Sequence, residues 1–145
     1  MNFHEFSELY PTLTTSLRGL TAAMKTAGLD EPLTELIKIR ASQINGCAFC
    51  VQFHLSAARK LGVEQAKLDL LAAWRDSGVF SPRERAALAW AERLTALPYA
   101  HLTEAERAEA EQALTPEAFA QLCVAIATIN AWNRIAVGLG FPPLG

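Results

Sequence analysis

The segment from Glu35 to His54 carries the residue types that could do chemistry. It reads ELIKIRASQINGCAFCVQFH, and its two cysteines, Cys47 and Cys50, form a Cys-x-x-Cys pair. A histidine follows the second cysteine by four residues. This combination is typical of thiol redox chemistry, because the thiolate is the reactive form and a neighbouring base promotes its formation. The segment therefore predicts an enzyme.

A helix over residues 47–61 would place both thiols and the imidazole on one face. At about 100° per residue, Cys47 and His54 lie nearly in line, and Cys50 lies about 60° away. Cys50 and His54 also have the i, i+4 spacing of neighbouring side chains. We expect Cys47 in the first turn, where free N–H groups and the helix dipole favour a thiolate.

Glu35 is the candidate partner of this histidine. It lies 11 residues before Gly46, and His54 lies 8 residues after it. If two helices fold back antiparallel at Asn45-Gly46, the two side chains end within about one helical turn of each other. A carboxylate there could orient the imidazole and hold it ready to accept a proton.

The elements that must position these residues are predicted to be helical. Apolar residues recur at three- and four-residue intervals, which is the helical period. The pattern predicts helices at residues 14–27, 33–45, 47–61, 64–76, 82–96, 103–114 and 116–138. Pro32, Pro82 and Pro116 suit first helical turns, and Ser81 and Thr115 suit caps. The fold class is therefore all-α, a single domain over residues 1–145 built on antiparallel helix hairpins.

Two predicted helices differ sharply in character. Residues 103–114 are mostly charged or alanine, which indicates a solvated outer helix. Residues 118–129 have only Gln121 and Thr128 as polar side chains, so this helix must be central or held at a subunit interface. Apolar residues make up 51% of the chain, and we expect the surplus to be buried between subunits.

Charge and composition exclude several classes of partner. The net charge is −2, from 13 basic and 15 acidic residues, and no basic run favours nucleic acid or an anionic membrane surface. No stretch approaches the roughly 20 consecutive apolar residues of a membrane span. The first ten residues lack the pattern of a signal peptide. With three cysteines, these features predict a cytoplasmic protein whose Cys-x-x-Cys pair is a reversible couple or a metal clip.

The motif begins at Glu35, which is followed after eleven residues by the Cys-x-x-Cys pair. Ile-Asn-Gly stands directly before Cys47, and His54 follows Cys50 by four residues. It resembles the alkylhydroperoxidase D (AhpD)-like branch of the carboxymuconolactone decarboxylase family. The match is strongest over residues 33–61 and continues more weakly over 74–95 and 129–134. The decarboxylase branch of the family lacks the paired cysteines, and Phe49 replaces a histidine of the best-studied AhpD type.

The resemblance implies an all-helical homotrimer or homohexamer that reduces organic hydroperoxides. It also implies that four residues form a proton relay: Glu35, Cys47, Cys50 and His54. In the expected reaction, His54 takes a proton from Cys50, whose thiolate attacks the distal peroxide oxygen and becomes a sulfenic acid. Cys47 then condenses with it to a disulfide, which an external dithiol reduces. The order of the two cysteines stays open, because the N-terminal thiol is the attacker in many Cys-x-x-Cys enzymes.

Two other functions also stay open. The pair could serve a disulfide oxidoreductase or redox sensor without peroxidase turnover. Alternatively, it could bind zinc in a non-enzymatic oligomeric module, with His54 as the third ligand. The fourth ligand would come from Cys123, Glu35 or a second subunit. Structural zinc sites usually bring a second close ligand pair, which the chain does not contain. We therefore expect no cofactor and no metal.

Other residues are expected to have structural roles. The apolar surroundings of Cys123 predict a core thiol. Three tryptophans are interpreted as core or interface anchors: Trp74, Trp90 and Trp132. Glu84 and Glu92 are interpreted as surface charges, although Glu92 could line a pocket if its helix faced the cysteines. Polar residues that end the apolar helix are expected to cross a subunit interface: Asn130, Asn133 and Arg134.

Overall fold

The computed structural model describes residues 1–97 and 101–145, and within these ranges it contains helices and no strand. The α-helices are α1 (Phe3–Leu9), α2 (Pro11–Thr26), α3 (Glu31–Ile44), α4 (Ala48–Lys60), α5 (Gln65–Leu70), α6 (Pro82–Thr95), α7 (Glu104–Gln112) and α8 (Pro116–Leu139). A 3₁₀-helix over Leu71–Asp76 follows α5 directly, so the helix predicted over 64–76 is two shorter pieces. The all-α fold class is confirmed.

The predicted caps begin two of these helices, and the predicted first-turn prolines lie in three. The Ser81 hydroxyl accepts a hydrogen bond from the Glu84 backbone N–H, and the Glu84 carboxylate accepts one from the Ser81 backbone N–H. This reciprocal pair is the capping box that the sequence predicts. Thr115 caps α8 through its hydroxyl, and Pro32, Pro82 and Pro116 lie in first turns, where the missing N–H costs no helical hydrogen bond.

The N-terminal helix α1 is absent from the sequence prediction, and α2 begins at Pro11 rather than at residue 14. A second capping box begins α1. The Asn2 side chain accepts from the Glu5 N–H at 2.9 Å, and the Glu5 carboxylate accepts from the Asn2 N–H at 2.9 Å. Because α1 has only seven residues, it shows too few apolar repeats for periodicity to reveal it.

Helices α3 and α8 form the centre of the fold. Helix α3 packs against α4, α6 and α8, and its Leu36, Ile37 and Ile39 are almost fully buried. Helix α8 packs against α2, α3, α4, α6 and α7, so the apolar segment over 118–129 belongs to a central helix. By length and composition alone α8 could also cross a bilayer, but a core helix meets the same criterion. Helix α7 is the predicted outer helix, with only Ala110 buried.

Candidate active site

The turn between α3 and α4 positions both cysteines. Gly46 has φ 66°, a left-handed conformation that glycine adopts without steric cost. The backbone N–H of Cys47 then donates to the carbonyl of Ser42 at 3.0 Å, which closes the C-terminus of α3. Cys47 itself is the N-cap residue of α4. The helix thus begins one residue later than predicted, but Cys47 still lies at its positive end.

An asparagine network anchors this turn to α8. The Asn45 side-chain amide donates to the side-chain oxygens of Asn130 at 3.0 Å and Asn133 at 2.8 Å. The amide of Asn133, which is 1% exposed, donates to the Ser42 hydroxyl at 2.9 Å. The Asn133 side chain is thus buried within the chain rather than at a subunit interface. The same expectation for Asn130, which is half-buried, stays a prediction. Arg134 is exposed and donates to the Asn130 carbonyl and side-chain oxygens.

Cys47 and Cys50 are joined by a disulfide and lie in an apolar cluster. They are 2% and 3% exposed, respectively. The Cys47 sulfur accepts a hydrogen bond from the Cys50 backbone N–H at 3.2 Å, as expected of a cap residue. A thiolate formed at Cys47 would therefore be stabilised by a free helical N–H, in addition to the helix dipole.

Glu35 and His54 meet as the sequence predicts. Glu35 Oε2 and His54 Nδ1 are 2.6 Å apart, and each side chain is 12% exposed. With Nδ1–H donating to the carboxylate, the imidazole keeps Nε2 as its proton-accepting atom. This is the arrangement in which a carboxylate orients a histidine for proton transfer.

Lys38 also belongs to the site, although the sequence pattern did not predict it. It lies one turn after Glu35 on α3, is 5% exposed, and its Nζ is 3.4 Å from Glu35 Oε1. Burial by itself raises the pKa of Glu35. The hydrogen bond and charge of His54, together with Lys38, outweigh this effect, so the pKa lies below its usual value. The i, i+3 spacing of Glu35 and Lys38 was the available signal.

A cavity of about 430 Å³ opens beside these groups. Cys50, rather than Cys47, lines it, together with Glu35, Lys38 and His54. The cavity also has aromatic and cationic walls formed by Phe3, Phe49, Phe53, Trp132, Arg18 and Lys25. Its volume is within the usual range of small-molecule sites, and a few polar groups converge in an apolar lining, as such sites require.

Helix α1 completes the aromatic wall of this cavity. The Phe3 ring lies 5.6 Å from that of Phe49, which in turn lies 5.4 Å from Phe141 and 6.1 Å from Phe53. Phe3 was not predicted as a site residue, because the apolar pattern of the sequence does not reveal α1. The capping pattern Asn2-x-x-Glu5 was the signal that could have revealed it.

Among the remaining candidates, only Trp132 lines the cavity. Cys123 is a free, half-buried thiol whose sulfur accepts a hydrogen bond from Trp90 Nε1 at 3.4 Å. Trp74 and Trp90 are buried, as expected of core residues, whereas the half-buried Trp132 lines the cavity. Across residues 1–97 and 101–145, no three His, Cys, Asp or Glu side chains come together as metal ligands.

Glu84 and Glu92 are not the free surface charges that the sequence analysis expected. Each side chain is mostly buried and lies away from the cavity. Glu84 caps α6 and pairs with Lys67 at 2.8 Å. Glu92 accepts hydrogen bonds from Arg40, Trp74 and Arg75. Both glutamates therefore join helices.

The sequence is similar to a known family profile and to bacterial proteins. The profile of the carboxymuconolactone decarboxylase family matches residues 9–93. The chain is 37% identical over 116 residues to the uncharacterized protein YdfG of Bacillus subtilis, covering 80% of this chain and 79% of that protein. It is 30% identical over 122 residues to the uncharacterized protein YnjA of Escherichia coli, covering 83% of this chain and 66% of that protein.

The fold is similar to those of solved bacterial structures. One is a protein of unknown function from Agrobacterium tumefaciens, suggested to be the antioxidant defence protein AhpD. Its TM-score is 0.90 at 32% identity, covering 97% of this chain and 96% of that chain. Another is an uncharacterized peroxidase-related protein from Ralstonia eutropha with an alkylhydroperoxidase AhpD core. Its TM-score is 0.82 at 23% identity, covering 96% of this chain and 74% of that chain. These matches confirm the resemblance inferred from the motif.

Proposed function

We propose that this chain, which belongs to the carboxymuconolactone decarboxylase family and is AhpD-like, is a thiol peroxidase that reduces organic hydroperoxides with Cys47 and Cys50. The observation that carries the proposal is the Glu35–His54 hydrogen bond of 2.6 Å, made on the wall of a cavity that Cys50 also lines. A base, its orienting carboxylate and a thiol thus share one space large enough for a small organic molecule.

The first step is proton transfer from Cys50 to His54, which Glu35 orients. The Cys50 thiolate attacks the distal oxygen of the hydroperoxide, so that an S–O bond forms while the O–O bond breaks. Sulfur is oxidised to a sulfenic acid, and the peroxide is reduced to an alcohol once the leaving alkoxide takes the proton from His54. Cys50 is assigned as the attacking residue because it lines the cavity.

The second step regenerates the cysteine pair. Cys47 loses its proton and its thiolate attacks the sulfenic sulfur, so that the S–S bond of the Cys47–Cys50 disulfide forms while the S–O bond breaks. The departing hydroxide takes up the proton lost by Cys47 and leaves as water. The structure holds the two residues in this disulfide, which is the oxidised end state of the cycle. An external dithiol would then reduce the pair by exchange, which completes the cycle without a metal or an organic cofactor.

The proposal includes the setting in which this chemistry would operate. We propose a cytoplasmic setting, because a cysteine pair that is oxidised and reduced reversibly operates where other thiols are kept reduced. Large apolar side chains remain exposed, including Leu9 at 61% and Leu13 at 53%, which fits further burial between subunits of a homotrimer or homohexamer.

The test is consumption of tert-butyl hydroperoxide by the reduced protein with a dithiol present, together with mass spectrometry of residues 47–50. We expect turnover and a Cys47–Cys50 disulfide that forms only when peroxide is added. A disulfide without turnover would instead indicate a disulfide oxidoreductase or a redox sensor. Absence of oxidation, with zinc bound to the purified protein, would overturn the redox function altogether.

A further inference from the structure

Lys38 is a buried ammonium group for which the peroxidase cycle above has no role. Its side chain is 7% exposed, although lysine normally keeps its charged end in water. Burying such a charge is costly unless partners replace the lost water. The buried ammonium group therefore needs hydrogen-bond acceptors. Lys38 lies on the wall of the same cavity as Cys50 and His54.

Glu35 does not satisfy all the hydrogen-bond donors of Lys38. Lysine has three N–H donors, and Lys38 makes one hydrogen bond, to Glu35 Oε1 at 3.4 Å. Charge-assisted N–H···O bonds are usually about 2.7–2.9 Å long, so this contact is a weak one. Within the described part of the chain, Lys38 Nζ has no second acceptor, which leaves donors for a ligand in the cavity.

The other cations of the cavity are of a different kind. Arg18 and Lys25 are exposed residues of α2. Lys25 is paired with Glu31 at 2.6 Å, and the Arg18 guanidinium stacks over the Phe3 ring at 5.2 Å. Lys38, in contrast, comes from the central helix α3 and has little access to water. A fixed charge has its largest effect on a reacting group in such a water-poor position.

Resting on the proposed peroxidase function, we propose that Lys38 is a catalytic residue that donates a hydrogen bond to the leaving oxygen of the hydroperoxide. When the Cys50 thiolate forms the S–O bond, the O–O bond breaks and negative charge moves to the proximal oxygen. Lys38 stabilises that alkoxide and keeps its own proton, while His54 supplies the proton that makes the alcohol. This role is electrostatic stabilisation of charge that develops only in the transition state.

The basicity of the leaving group provides a test that a purely structural role cannot mimic. tert-Butyl hydroperoxide releases a strongly basic alkoxide, whereas peracetic acid releases acetate, which needs little stabilisation. Pre-reduced protein is oxidised with each peroxide in a single turnover without dithiol, for wild type and for Lys38→Met. We expect the variant to react about 100-fold more slowly with tert-butyl hydroperoxide and nearly as fast as wild type with peracetic acid.

Lys67→Met is the matched control. Lys67 is also a mostly buried lysine in an ion pair, at 2.8 Å from Glu84, but it lies outside the cavity. We expect it to leave both rates unchanged. Lys38→Arg, which keeps a cation, should restore the wild-type ratio of the two rates at least in part. Lys38→Gln serves as the second uncharged variant if Lys38→Met does not fold.

The outcomes separate this proposal from the proposed function. Equal slowing with both peroxides would overturn the role of Lys38, because an effect on Glu35 or on thiolate formation slows both reactions alike. Unchanged rates in Lys38→Met, or a Lys38→Arg variant that behaves like Lys38→Met, would overturn it as well. A wild-type protein that reacts with neither peroxide would instead overturn the peroxidase function on which the role depends.

Discussion

Glu35 and Glu92 are two glutamates in helical segments of the same fold, and their partners differ in kind. Their side chains are 12% and 19% exposed. For both, burial by itself raises the carboxyl pKa, and hydrogen bonds and cations outweigh it, so both pKa values lie below the usual value. By burial and pKa direction alone, the two residues are alike.

The partners of Glu92 are two guanidinium groups and an indole. Arg40 and Trp74 donate to Oε1 at 2.9 and 2.8 Å, and Arg75 donates to Oε2 at 2.7 Å. Guanidinium and indole groups are permanent donors. Glu92 therefore acts as a fixed clamp that joins α3, α6 and the 3₁₀-helix. The Arg75 guanidinium also stacks over the Trp74 ring, 4.3 Å from the ring centroid.

Glu35, in contrast, has a histidine as its partner. An imidazole can act as a proton acceptor and donor, and His54 lies on a cavity wall together with a thiol. The comparison shows that a buried carboxylate with a lowered pKa does not by itself indicate a catalytic site. The protonation chemistry of its partner and access to a cavity make the difference.

The largest expected effect comes from replacing Cys50, which lines the same cavity as Glu35. Cys50→Ser should abolish peroxide consumption and the trapping of a sulfenic acid by dimedone, because serine is not oxidised in this way. Cys123→Ser is the matched control, since this free cysteine lies in a separate cluster beside Trp90. It should keep full activity. If trapping disappears in Cys47→Ser and persists in Cys50→Ser, the two cysteines have the opposite roles.

The second effect tests the two glutamates directly. Glu35→Gln and His54→Ala should each slow peroxide consumption by about 10²-fold or more, because a positioned acid/base group contributes that much. Glu92→Gln should leave the rate within about twofold of wild type, because it neither lines the cavity nor contacts His54. Initial rates with tert-butyl hydroperoxide measure all three. If Glu35→Gln and His54→Ala were both as fast as wild type, the relay would have to be abandoned.

The third effect concerns stability, for which Glu92 rather than Glu35 is the residue tested. Glu92→Gln replaces an acceptor that three donors share, and we expect it to lower the free energy of unfolding by about 1–3 kcal/mol. Urea unfolding followed by circular dichroism measures this change. Glu117→Gln, an exposed position in the first turn of α8, is the control and should change stability by less than about 0.5 kcal/mol. An equally small loss in Glu92→Gln would contradict its role as a clamp.

The smallest effect is the pH dependence of stability. Because the pKa of each carboxyl is lower in the folded state than its usual value of 4.5, the two carboxylates stabilise the fold above that pH. This stabilisation is lost as the pH falls below 4.5 and through the folded-state values. Glu92→Gln should therefore flatten the acid limb of a plot of unfolding free energy against pH. An unchanged slope would mean that Glu92 has the same pKa in the folded and unfolded states.

Much of the site could be predicted because it depends on local spacing. Cys50 and His54 lie on one helix, and one sharp turn at Gly46 brings Glu35 of the preceding helix to His54. A helix hairpin leaves few alternatives for side chains this close in sequence. The contribution of Phe3 could not be inferred in this way, because it depends on ring contacts between α1 and the distant residues Phe49 and Trp132.

The roles of Glu92 and of the asparagines were also beyond the sequence prediction. A glutamate with helical spacing on a charged face indicates a solvated residue, and only the approach of Arg40 from α3 and Trp74 from the 3₁₀-helix makes it a clamp. Likewise, Asn133 is separated from Ser42 by 91 residues, so no local pattern indicates their hydrogen bond. Long-range contacts of this kind are specified by packing.

The sequence by itself determined the helical fold class, the family and the residues of the proposed relay, because helical periodicity, capping and motif spacing are local properties of a chain. Only the tertiary structure decided that Lys38 faces the same cavity as Cys50, that α1 provides the aromatic wall, and that Glu92 is a clamp. The reason is that burial and long-range hydrogen bonds depend on how the helices pack, which no single segment specifies.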